Sequence, residues 1–185
     1  MKKIIVGILV LCIAVSGFAQ QAKEVLPYDA LIRSAKIYLG QKEKDYEHVT
    51  ELLQTAIANY PDPLEAHFYM GIIAAERAEY AQMMDHFRKF EAICSKEAMA
   101  ADKKLSKRCS KDNMAGQIKD NKDAELSRNF KEGVSNIRIA DSVSHLVETA
   151  TDDSTKNVQA DIVKQLLTKA EGLFNDCIVI DDTIP

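Results

Sequence analysis

The amino-acid sequence predicts an all-α chain, a solenoid of stacked antiparallel αα-hairpins. Three observations carry this expectation. Tryptophan is absent, glycine and proline number only 7 and 4 in 185 residues, and Ala, Lys, Glu, Leu and Asp abound; such a composition favours helix over a β-sandwich or barrel. Apolar residues recur at helical spacing along most of the chain. The third observation is an internal echo: Tyr46 and Tyr80 stand 34 residues apart, as do Leu53 and Phe87. A period of about 34 belongs to helix–turn–helix units that cannot bury their apolar faces alone and must stack.

A leader precedes the helical part. Lys2 and Lys3 come before the apolar run 4–15, and Ser16-Gly17-Phe18-Ala19 puts small residues at the two positions a signal peptidase inspects. This order predicts a cleavable signal peptide over 1–19, cut after Ala19. An uncleaved anchor is the competing reading, but the run falls short of the roughly 18 residues of a spanning helix. Leu11 before Cys12 argues against a lipid anchor. The leader looks bacterial, so the expected address is the periplasm or the exterior, and membrane association is not required. Cleavage removes two lysines from a chain of formal charge −4. The more acidic product is a poor candidate for nucleic-acid binding, which needs clustered Lys and Arg against phosphate.

In chain order, 20–27 reads as a loose lead-in, and Asp29 as an N-cap for a first helix carrying Leu31, Ile32, Ala35, Tyr38 and Leu39. Gly40 and the polar run 41–45 make a turn. Val49, Leu52, Leu53, Ala56 and Ile57 form one face of a second helix, which stops at Asn59-Tyr60-Pro61-Asp62-Pro63. Pro63 opens a third helix, in whose first turn proline is tolerated, with Ala66, Met70, Gly71 and Ala74 on its face. A turn near Ala78 leads to a fourth carrying Tyr80, Met83, Met84, Phe87 and Phe90.

Ala66-His67-Phe68-Tyr69-Met70-Gly71, Tyr80, Phe87 and Phe90 resemble a tetratricopeptide repeat, with its small residue, bulky-Gly pair, turn tyrosine and second-helix aromatic. Val49, Leu53, Ala56 and Pro61 resemble the second helix and exit of a preceding repeat. The resemblance covers 28–95 as two repeats. Met83 and Phe90 stand where the family prefers alanine, and Lys36 where an apolar residue is expected. The resemblance implies a concave groove lined by the first helices, with Tyr38, Gln41 and Lys42 from one repeat and Phe68, Ile72, Ala75 and Glu76 from the next. Phe68 and Ile72 would then be apolar anchors and Lys42 and Glu76 charges that orient a bound peptide. In the alternative, the same residues pack against the C-terminal hairpin.

Residues 96–125 read as a polar linker or irregular insertion. Lys103, Lys104, Lys107, Arg108 and Lys111 cluster there, with Asp112, Asp120, Asp123 and Glu125 behind them. Lacking interleaved aromatics, this run reads as a solvated surface rather than an anion-binding one. Cys94 and Cys109 flank its first half. One continuous helix would hold them about 22 Å apart, whereas bridged cysteines need Cα atoms within about 7 Å. Either the chain turns and a disulfide joins them, or the thiols are separate. From Leu126 a long αα-hairpin follows, 126–185, a divergent third repeat or a plain hairpin packed on the repeats. No polar capping helix follows it, so it caps itself, pairs with another copy, or the chain is truncated at Pro185.

No Gly-rich phosphate loop, His-Glu-x-x-His or Gly-x-Ser-x-Gly is present. His48, His67, His86 and His145 are dispersed and read as surface or boundary residues. No catalytic group, metal site or cofactor is expected. The leading expectation is an exported helical-repeat protein that binds a protein or peptide, as an adaptor in envelope assembly. The alternative is a self-associating structural protein of the envelope, a homo-oligomer. An enzyme or small-ligand carrier ranks third.

Overall fold

The computed structural model describes residues 26–181, and every regular element among them is helical. The predicted leader 1–19 with its cut after Ala19, and the terminal Pro185, lie outside the described residues. Four short helices come first: α1 (Tyr28–Leu39), α2 (Tyr46–Asn59), α3 (Leu64–Glu76) and α4 (Tyr80–Ile93). Their boundaries follow local chemistry. Pro27, not Asp29, occupies the N-cap of α1, and Asp29 sits in the first turn, where its carboxylate complements the helix dipole. The Asp45 carboxylate accepts the His48 N–H at 3.0 Å and caps α2. Asp62 and Ala78 adopt left-handed φ of 51° and 56° in the turns before α3 and α4.

Helix α1 packs on α2, α2 on α3, and α3 on α4. One core joins Leu31, Ile32, Ala35, Val49, Leu53 and Ala56 to Ala66 and Ile73 of α3. A second joins Phe68, Met83, Met84, Phe87 and Phe90 to Met114, Ile118 and Ile180. Gly71 sets the α3–α4 distance. A Cβ there would lie 2.3 Å from the Phe87 ring, so the missing side chain lets the ring rest on the α3 backbone.

The stretch 96–125 is helical, contrary to the linker expected there. It forms α5 (Lys96–Ala101), α6 (Lys103–Cys109), a 3₁₀ turn (Lys111–Asn113) and the start of α7 (Met114–Thr149). Caps account for the short helices: Ser95 Oγ accepts the Ala98 N–H, and the Asp102 carboxylate accepts the Lys104 and Leu105 N–H groups. Helix α7 starts well before Leu126 because Met114 and Ile118, one turn apart, are buried against α3 and α4. Met99, Leu105 and Cys109 also pack on the second core, while the polar residues of the stretch face solvent. Consecutive left-handed residues, Asp112 and Asn113, turn the chain from α6 into α7; Asp and Asn tolerate this conformation best after glycine. Cys94 and Cys109 are joined by a disulfide, with Cα atoms 5.8 Å apart.

Helix α8 (Asp153–Ile180) returns antiparallel along α7, capped by the Asp152 carboxylate on the Thr155 N–H. Only the base of this hairpin docks on the short helices. There Arg128 Nη2 donates to the Tyr80 hydroxyl at 2.7 Å, Lys122 Nζ donates to Glu91 at 3.2 Å, and Ile180 joins the second core. Helix α7 has 36 residues and is about 54 Å long, so its distal half projects beyond the docked base. No helix among the described residues is long and apolar enough to cross a membrane.

Candidate functional site

A cleft of about 500 Å³ opens between α1, α3 and the α6–α7 corner. Helix α1 supplies Tyr28, Ile32 and Lys36 at successive turns, with Asp29, Arg33 and Ile37 beside them. Glu65 and Tyr69, one turn apart, come from α3, and Lys111, Asp112 and Met114 from the corner. The lining therefore combines two aromatic rings, three aliphatic groups and charges of both signs, the mixture that holds an amphipathic ligand.

One end is fixed by a hydrogen-bonded knot. The Tyr28 hydroxyl donates to Glu65 Oε2 at 2.8 Å and accepts the Glu65 N–H at 3.1 Å, tying α1 to the start of α3. Arg108 Nη2 donates to Glu65 Oε2 at 2.6 Å and to the Asp62 carbonyl at 3.2 Å, and its guanidinium lies over the Tyr28 ring. Burial pushes the Glu65 carboxyl up, but hydrogen bonds from Arg108 and Tyr28 outweigh it and hold the group below the usual carboxylate range. Burial and the neighbouring carboxylate push the Tyr28 phenol well above its ordinary value. The other end is loose. Lys36 reaches Asp112 at 3.7 Å with both side chains half exposed, and its ammonium stands 5.9 Å from the Tyr69 ring. An exposed pair of this kind contributes little, so this end can open or exchange partners.

The seven residues expected to line a groove are not brought together. Phe68 and Ala75 are each only 3% exposed and belong to the second core, with Ile72 packed against it; α7 covers the face on which a partner was expected. Tyr38 packs edge-on against the His48 ring at 4.6 Å. Gln41 and Lys42 are exposed in the α1–α2 turn. Glu76 accepts from Lys44 at 2.7 and 2.8 Å and from the Tyr46 hydroxyl, so its carboxylate is engaged within the chain rather than presented to a groove. The cleft lies elsewhere on the first helices. Its sequence signal was Lys36, a cation at a position expected to be apolar, together with Tyr69 beside Phe68.

A second polar centre joins α3 to α4. His67 Nδ1 lies 3.0 Å from His86 Nδ1, so one ring donates and the other accepts, and the pair can carry at most one proton between these atoms. Burial, then the neighbouring His86, pushes His67 down to about 4; burial also lowers His86. A histidine whose folded-state value is depressed binds more protons when unfolded. The stability it supports is complete above the unfolded value of about 6.5, falls with pH, and is lost below about 4. Urea unfolding of the whole chain is therefore expected to lose about 2 kcal/mol between pH 7 and pH 4 from this pair. His67→Phe should flatten that part of the profile, and an unchanged profile would rule the pair out as its source.

Among the described residues no group of three or more His, Cys, Asp or Glu is placed to hold a metal ion. Compared with protein-family models, curated proteins and solved structures, the chain matches none.

Proposed function

We propose that this chain is an exported, non-enzymatic helical-repeat protein that binds a peptide or protein segment in the cleft between α1, α3 and the α6–α7 corner, as an adaptor in envelope assembly. The observation that carries the reading is the cleft itself, with its aromatic, aliphatic and doubly signed lining on the first helices of two successive hairpins. Aromatic and aliphatic anchors flanked by charges suit a short amphipathic segment. The repeat reading is supported by α2 and α4. Each is 14 residues long, they begin at Tyr46 and Tyr80, and Leu53 and Phe87 are fully buried at matching places in them. The Cys94–Cys109 disulfide suits an oxidising compartment, in keeping with export to the periplasm or beyond.

Photocrosslinking in the native cell tests this. A photoreactive residue at Tyr69 should capture one dominant partner through a short segment, and the same probe at buried Phe68 should capture none. Tyr69→Ala should weaken binding of that segment by about tenfold but also lower the thermal midpoint, since the ring packs on Phe68 and both cores. Lys36→Ala, at the half-exposed end of the cleft, should weaken binding with the midpoint nearly unchanged. Absence of capture at Tyr69, or equal capture at both positions, would defeat the reading.

A further inference from the structure

The α7–α8 hairpin leaves several large apolar side chains exposed. Its seam on α7 runs through buried Asn129, Gly133, Asn136 and Ala140, alternating four and three residues as in a coiled coil. These are small or polar, and the amide nitrogens of Asn129 and Asn136 are buried without a partner. The large apolar groups stand beside the seam instead. Phe130, Ile137 and Leu167 are 56%, 43% and 47% exposed, and the Phe130 and Phe174 rings meet edge-on at 5.9 Å on the same flank. Buried polar residues at such seam positions fix register at a cost in stability, and the pairing leaves Phe130, Ile137 and Leu167 about half exposed.

The flanks differ. On one, Tyr80 of α4 bonds to Glu125 and Arg128, and Glu132, seven residues beyond Glu125, pairs with Lys169 at 2.7 Å. The helical body therefore lies on that flank at the base, where Arg128 pairs with Glu125 and Lys169 with Glu132 within the chain; further out Val158 and Ile162 are exposed on the same side. The Phe130 flank is open along its length. There Lys164 and Glu171 border the apolar row on α8, and among the described residues neither has an ion-pair partner within the chain.

We propose that the open flank binds a second copy of this chain, arm against arm with tips opposed, across a two-fold axis at Leu167. The register dictates the contacts. Phe130 stands level with Phe174, so seven residues further along each helix Ile137 stands level with Leu167. A two-fold axis at that level lays α8 antiparallel on its symmetry mate, with Leu167 on Leu167. Lys164 and Glu171 lie three residues before and four after it, so each Lys164 meets the other copy's Glu171, twice over. Such a contact is isologous and closes on itself. A hairpin face about 30 Å long and 20 Å wide offers roughly 600 Å² per copy, about 1,200 Å² in all, the lower bound of stable specific interfaces. The dimer goes beyond the cleft reading and does not depend on it.

Sedimentation of the full chain tests the proposal. The expected result is a concentration-dependent dimer. Lys164→Glu and Glu171→Lys should each raise its dissociation constant by about tenfold, and the double reversal should restore it. The two positions are seven residues apart on one helix, too far to meet within a chain, so rescue reports a contact between copies. Leu167→Glu should give a monomer with unchanged helix content, and Leu167→Cys a disulfide-linked dimer. Ile162→Glu, on the opposite flank, should leave dimerisation intact. A chain that stays monomeric at all concentrations would overturn the proposal. So would a dimer that ignores both reversals, or one broken by Ile162→Glu instead.

Discussion

Phe68→Ala is expected to lower the free energy of unfolding by about 3–5 kcal/mol. The ring is 3% exposed and packs against Tyr69 and Phe90, with centroids 5.0 and 6.1 Å away. Its removal leaves a cavity where three layers meet: α3, α4 and the start of α7, which contributes Met114 and Ile118. Collapse of that cavity is resisted because Phe87 is pinned by Gly71 on one side and is itself fully buried. Urea unfolding measures the loss. A cleft ligand should bind the folded variant nearly as before, since Phe68 does not line the cleft. A loss under 1 kcal/mol, coupled with weakened partner binding, would return Phe68 to the surface and undo the core described above.

That expected result marks how far the sequence was legible. Helices α1, α2 and α4 each carry an apolar stripe at helical spacing with a polar opposite face, so their existence and inward residues could be read directly. Helix α3 could not be read in the same way. Leu64, Phe68, Ile73 and Ala75 are buried along with Ala66, Gly71 and Ala74, so it is covered on nearly all sides, and periodicity cannot distinguish a groove floor from a second core. What decides between them is α7, whose covering residues lie more than forty positions away in a stretch that looks solvated. The cleft was half visible for the same reason. Lys36 is conspicuous at an apolar position, but its partner Asp112 comes from a corner set by two left-handed residues with no glycine to announce them. The arm's exposed residues were legible as one broad apolar stripe. Their division into a polar seam and apolar flanks emerged only from the pairing of Phe130 with Phe174 and Glu132 with Lys169.

Replacing both Cys94 and Cys109 with serine is expected to cost about 3 kcal/mol, from the loop-closure entropy of a cross-link spanning about 15 residues, and to lower Tm by roughly 6–12 °C. The bridge ties the end of α4 to the end of α6. Between them α5 and α6 are short, and Cys109 is the single buried residue of the pair of helices. Without the cross-link, this segment is held by Arg108 and by the partly buried Met99 and Leu105, which pack on the second core. Arg108 is the neighbour of Cys109 and closes the fixed end of the cleft through Glu65 and Asp62. Loss of the bridge should therefore reach the site as well as the stability: the affinity of a cleft ligand should fall in the double variant and in the reduced native chain alike. Arg108→Ala separates the two effects. It removes the hydrogen bonds at Glu65 while the covalent loop stays closed, so binding should weaken with a smaller change in Tm than the serine pair produces. Equal midpoints for the oxidised and reduced chain would show that the cross-link contributes nothing to the fold. Unchanged affinity in Arg108→Ala would show that the knot at Glu65 does not shape the cleft.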